Sequence, residues 1–97
     1  MDLGRIQKAL DRDGLLVTGV ENAVSLTSVT DDSRRVERGT LFCAVDGATQ
    51  DGHAFVEDAL SRGAVAAIVC RQLDSPIPQV VVNDGRRAAA TAARATK

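Results

Sequence analysis

The stretch LFCAVDGATQDGHAFVEDALSRGAVAAIVC, residues 41–70, sets two apolar runs on either side of one amphipathic segment. The runs predict strands over Thr40–Val45 and Val65–Cys70, because residues that are apolar on both faces are typical of strands covered on both sides. Between them, Asp51 is placed to cap a helix over His53–Arg62. A strand, a helix and a strand in this order predict a βαβ unit with parallel strands.

The flanking sequence adds further elements of the same kind. β-Branched residues in alternation predict a strand over Ser25–Thr30, a third apolar run predicts one over Gln79–Val82, and Leu15–Val17 is expected to be a short extended piece. Helices are predicted over Asp2–Asp11 and from Asp84 onward, and the second contains no large apolar residue, so we expect it to bury little. Together these elements predict a three-layer α/β/α fold with a small, mostly parallel sheet of about four to five strands.

Composition restricts the classes of function. The chain has 97 residues, which indicates a single domain, and its formal net charge of -1 is not that of a nucleic-acid-binding protein. No apolar run approaches the roughly 20 residues of a membrane span. The charged start of the chain is unlike a secretory signal peptide. The sequence therefore predicts a cytoplasmic protein that binds neither nucleic acid nor membrane.

Residues with catalytic potential are few. Cys43 and Cys70 lie in apolar runs and are interpreted as free, buried thiols, and no Cys/His cluster predicts a metal site. His53 is the only histidine, and in a first helical turn we expect it at the surface. The sequence contains no glycine-rich loop ending in Gly-Lys-Ser/Thr that would hold a nucleoside triphosphate. We therefore expect the 97-residue chain to be inactive by itself.

Two polar loops, residues 31–35 and 47–52, each follow a predicted strand. Ligands of open α/β sheets collect beyond the carboxyl ends of the strands, so both loops are candidate binding segments. A serine hydroxyl, arginines and glycines that expose backbone N–H groups suit a polar, anionic ligand. Two simpler interpretations remain: Ser33 closes a turn, and at least one of Arg34 and Arg35 is a solvated charge or pairs with a neighbouring aspartate.

Several short motifs occur in a fixed order within residues 32–69. The order is Asp-Ser-Arg (32–34), Gly39, Leu-Phe-Cys-Ala (41–44), Asp-Gly-His-Ala-Phe (51–55) and Gly-Ala-Val-Ala (63–66). This arrangement closely resembles the N-terminal domain of the Mur ligases, which extend the stem peptide of peptidoglycan. The combination is specific, although each piece alone would be a weak signal.

The resemblance implies that the domain holds the UDP end of a UDP-N-acetylmuramoyl peptide. Ser33 and Asp31 would contact the uridine diphosphate portion, with Arg34 beside them. The segment Ala48, Thr49 and Gln50 would contact the nucleotide largely through backbone groups. Because aromatic residues make up only 2% of the chain, we expect uracil to be recognised by hydrogen bonds and aliphatic packing.

Two kinds of Mur ligase share this pattern. The segments Ser-Arg-Arg-Val (33–36) and Asp-Gly-Arg-Arg-Ala (84–88) most resemble the ligase that adds diaminopimelate or lysine to UDP-N-acetylmuramoyl-L-alanyl-D-glutamate. The resemblance is weaker to the ligase that adds D-alanyl-D-alanine to the tripeptide product. In either case, ATP and Mg²⁺ are expected in a central domain, and the incoming amino acid in a C-terminal domain, both absent from these residues. A non-catalytic, stand-alone nucleotide-sugar-binding or interaction module is the alternative.

Overall fold

The computed structural model describes residues 1–21, 23–45 and 51–96. Within them the elements are, in chain order, α1 (Leu3–Arg12), β1 (Leu16–Thr18), β2 (Ser28–Thr30), β3 (Thr40–Cys43), α2 (Val56–Ser61), β4 (Ala66–Val69), β5 (Gln79–Val82) and α3 (Gly85–Ala95). Two 3-10 turns, Ser33–Arg35 and Gly52–Phe55, precede β3 and α2 respectively. The strands predicted at the apolar runs and the aspartate-capped helices are all present.

The strands form one five-stranded sheet in the order β1-β5-β4-β3-β2. The pairs β2–β3, β3–β4 and β4–β5 are parallel, with Leu41 opposite Ala66 and Ile68 opposite Val80. Only β1, at one edge, runs antiparallel, along β5. The predicted fold class and the parallel βαβ pairing of β3 with β4 are confirmed.

Helices cover both faces of the sheet and make three layers. On one face, α1 and α3 pack over alternate strand residues such as Ile68 and Val80. On the other face, α2 packs over residues such as Phe42 and Val69. Each of these four side chains is at most 1% exposed, and burial of one such side chain contributes roughly 1.5–3 kcal/mol. The central strands are therefore apolar on both faces because both are covered.

Contrary to expectation, α3 buries a continuous face. Ala88 and Ala92 are fully buried, and Thr91, 3% exposed, donates its hydroxyl to Asp13 Oδ2 at 2.8 Å. The prediction that this helix has little to bury was wrong because small side chains let its backbone lie close to α1 and to the sheet.

The predicted strand Ser25–Thr30 is shorter in the structure and begins at Ser28. Ser25 makes a single antiparallel bridge to Asp2, and Leu26 N–H donates to Met1 O at 2.7 Å. Because the first half of the segment hydrogen-bonds to the start of the chain, only its second half pairs with β3. Small shifts of one or two residues separate the predicted and observed bounds of β1, β3 and β4.

The predicted helix His53–Arg62 is divided into the 3-10 turn Gly52–Phe55 and α2. Asp51 caps the turn as predicted, accepting from His53 N at 2.9 Å. The helix ends before Gly63, whose φ of +113° is the left-handed conformation that glycine adopts without strain. In the described part of the chain, no helix is long and apolar enough to span a bilayer.

Candidate functional site

Two clefts open at the carboxyl ends of β2 and β3, one on each face of the sheet. The first, here the α2 cleft, has a volume of about 660 Å³ and is lined by residues that include Asp31, Ser33, Arg34, Val45 and Phe55. The second, here the α3 cleft, has a volume of about 710 Å³ and is lined by residues that include Val29, Asp31, Arg35, Val45 and Arg86. Because Asp31 and Val45 line both clefts, the two meet at the sheet edge.

Arg34, in the α2 cleft, is paired within its own turn. Asp32 Oδ1 accepts from Arg34 N at 2.9 Å and from Arg34 Nε at 3.1 Å, and Asp32 Oδ2 lies 3.0 Å from Arg34 NH2. These hydrogen bonds lower the pKa of Asp32 and raise that of Arg34. Of the two alternatives expected for these adjacent arginines, a solvated charge or a pair with a neighbouring aspartate, Arg34 adopts the second.

Ser33 stands at the start of the same turn and is half-buried in the α2 cleft. Its hydroxyl makes no hydrogen bond to any residue in the ranges 1–21, 23–45 and 51–96, and the turn is capped by Asp32. A hydroxyl in this position can donate to or accept from a ligand without first breaking an internal bond.

Half of the residues predicted for the site can be located. Asp31, Ser33 and Arg34 lie together in the α2 cleft. The other three, Ala48, Thr49 and Gln50, fall outside the described residues. The ligand contacts of all six residues stay predictions.

The aromatic rings differ in their access to the α2 cleft. Both rings line the cleft, but Phe42 is 1% exposed and belongs mainly to the core, whereas Phe55 is half-buried and stands beside Val45. A planar base can therefore meet an aromatic wall as well as aliphatic groups. This ring was not among the predicted site residues, although its place in the Asp-Gly-His-Ala-Phe motif was visible in the sequence.

The α3 cleft contains two cationic side chains that the prediction left out of the site. Arg35 follows Arg34 in the turn, and Arg86 occupies the first turn of α3. Within the described residues, neither guanidinium makes an ion pair or a hydrogen bond. Gly85 lets the start of α3 lie close to the strand ends, because a Cβ there would lie 3.1 Å from Cys70 Sγ and 3.2 Å from Ala44 O.

The other described residues that line the α3 cleft carry little opposing charge. Asp31 supplies one carboxylate at the mouth of the cleft. Cys43 lies in its floor, and burial, together with the nearby charge of Asp31, raises the pKa of this thiol to about 12. The thiol is therefore neutral at physiological pH, and among the described residues that line the cleft two arginines face one carboxylate.

Beside these clefts, a buried histidine joins the ends of β3 and β4. His53 is 5% exposed, so the expectation of a surface position was wrong. Its Nε2 accepts from Cys70 N at 2.8 Å, and its Nδ1 lies 2.7 Å from Asp51 Oδ1. Since Nε2 accepts, the ring proton lies on Nδ1 and is donated to Asp51.

Asp51 also accepts from Arg71 NH2 at 2.8 Å through its second carboxylate oxygen. Gly52 N–H donates to Val45 O at 3.0 Å, and a Cβ at Gly52 would lie 2.5 Å from Val45 N and O. The Asp51–His53 segment is thus held against the ends of two strands, and it positions Phe55 in the α2 cleft.

No group of three or more His, Cys, Asp or Glu side chains in the described part of the chain could hold an ion. At the carboxyl edge of the parallel sheet, a serine hydroxyl and three arginines instead lie beside apolar walls, which is the arrangement of an α/β domain suited to a polar, anionic ligand.

Comparison with known proteins identifies the family. Residues 25–96, well over half of the chain, match the profile of the Mur ligase family, catalytic domain. The chain belongs to the Mur ligase family.

Relatives in sequence are UDP-N-acetylmuramoyl-L-alanyl-D-glutamate--2,6-diaminopimelate ligases. The ligase of Parabacteroides distasonis is 40% identical over 92 residues, which are 91% of this chain and 18% of the relative. That of Geobacillus thermodenitrificans is 53% identical over 64 residues, or 66% of this chain and 13% of the relative. The chain therefore spans less than a fifth of the length of either relative.

Solved structures of the family have the same fold. A crystal structure of MurF from Acinetobacter baumannii superposes with a TM-score of 0.73 at 30% identity, covering 91% of this chain and 19% of that one. MurF from Thermotoga maritima superposes with a TM-score of 0.60 at 34% identity, covering 69% of this chain and 16% of that one. The fold is that of the N-terminal domain of these ligases.

Proposed function

We propose that this domain binds the UDP portion of a UDP-N-acetylmuramoyl peptide, as the substrate-binding domain of an ATP-dependent ligase of peptidoglycan synthesis. The observation that carries the proposal is the position of Ser33. Its hydroxyl lies in a cleft at the carboxyl edge of the sheet, half-buried and without a hydrogen bond to any described residue. A polar ligand group would satisfy it.

The surroundings of Ser33 suit a nucleotide. Phe55 and Val45 provide apolar walls for a base, while Asp31 and backbone groups at the strand ends provide hydrogen-bonding partners. A site built in this way discriminates between bases, because a wrong base leaves buried polar groups unpaired. The segment Ala48–Gln50 would add backbone contacts, as predicted from the sequence.

The amino acid added by the intact enzyme is proposed to be diaminopimelate. The relatives described above in sequence, at 40% and 53% identity, are diaminopimelate ligases, whereas the solved MurF structures are 30% and 34% identical. ATP and Mg²⁺ would be bound by further domains of a cytoplasmic ligase, which would be the partners of this domain.

Isothermal titration of the domain with UDP and with UDP-N-acetylmuramoyl-L-alanyl-D-glutamate tests the proposal. We expect Ser33→Ala to weaken the affinity for UDP by about tenfold, the loss expected for one hydrogen bond of roughly 1.4 kcal/mol. Ser61→Ala is the matched control, because Ser61 Oγ donates to Asp58 O within α2. An unchanged affinity in the Ser33 variant would remove Ser33 from the site.

Binding to the isolated domain should be weak. In this proposal the peptide end of the ligand lies against other domains, so much of the binding free energy is missing here. We expect dissociation constants well above micromolar, measurable by chemical-shift changes in NMR spectra. Submicromolar affinity for the complete UDP-sugar peptide would contradict this division of the ligand between domains.

A further inference from the structure

His53 is the only histidine of the chain, and both of its ring nitrogens are hydrogen-bonded. We propose that this ring is a pH-dependent positioning residue for the α2 cleft. In its neutral form the ring links the segment 51–55 to the end of β4 through Cys70, and a second proton breaks that His53–Cys70 link. The effect on ligand binding rests on the proposed function, whereas the link itself does not.

The neutral ring matches its surroundings at both nitrogens. Nε2 accepts from Cys70 N at 2.8 Å, and Nδ1 lies 2.7 Å from the carboxylate oxygen of Asp51 to which it donates. The His53 side chain is only 1% exposed, so water has little access to replace either bond. The ring therefore joins a turn that follows β3 to the residue that follows β4.

A second proton breaks one of these bonds and keeps the other. In the imidazolium form both ring nitrogens are donors, so Nε2–H would face Cys70 N–H and the hydrogen bond between them is lost. Nδ1 still donates to Asp51, and that bond becomes an interaction between opposite charges. Protonation therefore leaves His53 attached to its own turn and detaches the turn from the end of β4.

Charged groups on several elements surround the ring. They are Asp51 and Arg71, the Cys70 thiol, Asp84 and Arg86 at the start of α3, and the exposed Glu57 and Asp58 of α2. The carboxylate of Asp51 attracts the second proton, while burial opposes it. Arg71 opposes it too, because its NH2 lies 2.8 Å from the other carboxylate oxygen of Asp51. With influences of both signs, the surroundings exclude neither form of the ring.

The link reaches the α2 cleft through the backbone on both sides of His53. Before it, Gly52 N–H donates to Val45 O at 3.0 Å, and Val45 lines the cleft. After it, the carbonyl of His53 accepts from Val56 N–H and closes the turn that carries Phe55 into the same cleft. Detaching the ring from β4 is therefore expected to loosen two residues of the cleft wall.

NMR titration of the wild-type chain between about pH 8 and about pH 5.5, within the range in which histidine changes its charge, tests the link directly. We expect the Cys70 amide resonance to shift with the same midpoint as the imidazole resonances. The protection of this amide against hydrogen exchange should fall by at least about fivefold in the protonated form. The Phe55 ring resonances should follow the same midpoint. This measurement needs no variant, so it does not depend on how a substitution affects folding.

UDP binding over the same pH range tests the consequence, with two matched variants. His53→Gln keeps an acceptor for Cys70 N–H and does not titrate, whereas His53→Asn keeps only a donor for Asp51 and imitates the protonated ring. Wild type should bind UDP within about twofold of His53→Gln at about pH 8 and about fivefold more weakly at about pH 5.5, the loss of one hydrogen bond. His53→Asn should be about fivefold weaker than His53→Gln at both pH values. Comparison with His53→Gln cancels the titration of the UDP phosphate itself.

The possible results separate the two proposals. A Cys70 amide that does not follow the imidazole titration would refute the link. If the ratio of wild-type to His53→Gln affinity is independent of pH, or if both variants are weakened equally, the positioning role is refuted while the proposed function stands. If none of the three proteins binds UDP, the proposed function fails, and the Cys70 titration of the wild type still decides whether the link exists.

Discussion

The two clefts at the carboxyl edge both contain arginines, but these arginines differ in whether they are paired within the fold. On the α2 side, Arg34 is held by Asp32, and His53 is bonded through both ring nitrogens. On the α3 side, Arg35 and Arg86 make no ion pair within the described residues. Arginines that are adjacent in sequence thus differ in what their guanidinium groups contact.

This difference separates structural from ligand-binding roles. A charged side chain that is paired within the fold helps to hold the local backbone in place. When such a side chain is removed, its former partner is left without a hydrogen bond. A charge without a partner contributes little to stability and is available to a ligand. Substitutions on the two sides should therefore change different measured quantities.

The largest effect on stability is expected from Gly52→Ala, on the α2 side. A Cβ at this position would lie 2.5 Å from the backbone N and O of Val45, so the segment must move away from the end of β3. We expect the free energy of unfolding to fall by about 3 kcal/mol or more, measured by urea denaturation. Gly4→Ala is the control, since its Cβ would meet only Asp2 Oδ1 at an ordinary 3.5 Å.

A smaller loss is expected from variants of His53. His53→Gln can keep an acceptor for Cys70 N–H and His53→Asn a donor for Asp51, so each should lose roughly 1–2 kcal/mol, less than His53→Ala. NMR correlation of the imidazole nitrogens should place the proton of the neutral ring on Nδ1. A neutral ring with its proton on Nε2 would contradict the hydrogen bond from Cys70 N–H.

On the α3 side, the corresponding stability changes should be close to zero. Arg35→Gln and Arg86→Gln are expected to shift the free energy of unfolding by less than about 0.5 kcal/mol, because exposed charges without partners contribute little. Thermal and urea unfolding of the two variants provide the measurement. If either arginine variant lost as much unfolding free energy as His53→Gln does, the proposed difference between the α2 and α3 sides would be wrong.

The last effect concerns Asp32 and depends on pH. Hydrogen bonds from Arg34 lower the pKa of Asp32 below its usual 3.8, so the pair stabilises the fold above that pH and loses this contribution as the pH falls through the folded-state value. Asp32→Asn keeps an oxygen to accept from Arg34 N but removes the charge. The difference in unfolding free energy between wild type and variant should shrink as the pH falls below 3.8, and a pH-independent difference would contradict the ion pair.

The sequence predicted an element accurately where the interactions that form it lie within one short segment. The strand Gln79–Val82 was predicted with its observed bounds, and Asp2, Asp51 and Asp84 each cap the turn or helix that was predicted to follow. A capping aspartate acts within three residues of itself, so its effect is visible in sequence. The boundaries of β2 were less accurate because Leu26 bonds to Met1, a contact between different segments.

The candidate site was predicted only in part for the same reason. The position of Ser33 after a strand indicated its cleft, but Phe55 and Arg86 reach the two clefts from elements that lie far along the chain. Which arginine pairs depends on side-chain geometry within a turn. Neither adjacency nor spacing distinguishes Arg34 from Arg35 in that respect.

By itself, the sequence determined a three-layer α/β domain, its parallel βαβ unit and its membership of the Mur ligase family. Periodicity, caps and ordered motifs are properties of neighbouring residues, so they can be interpreted before the chain is folded. Only the tertiary structure decided that β1 pairs antiparallel with β5, that His53 is buried against Cys70 N, and that Arg35 and Arg86 line one cleft without a partner among the described residues. These features join residues that are distant in sequence, and packing alone brings them together.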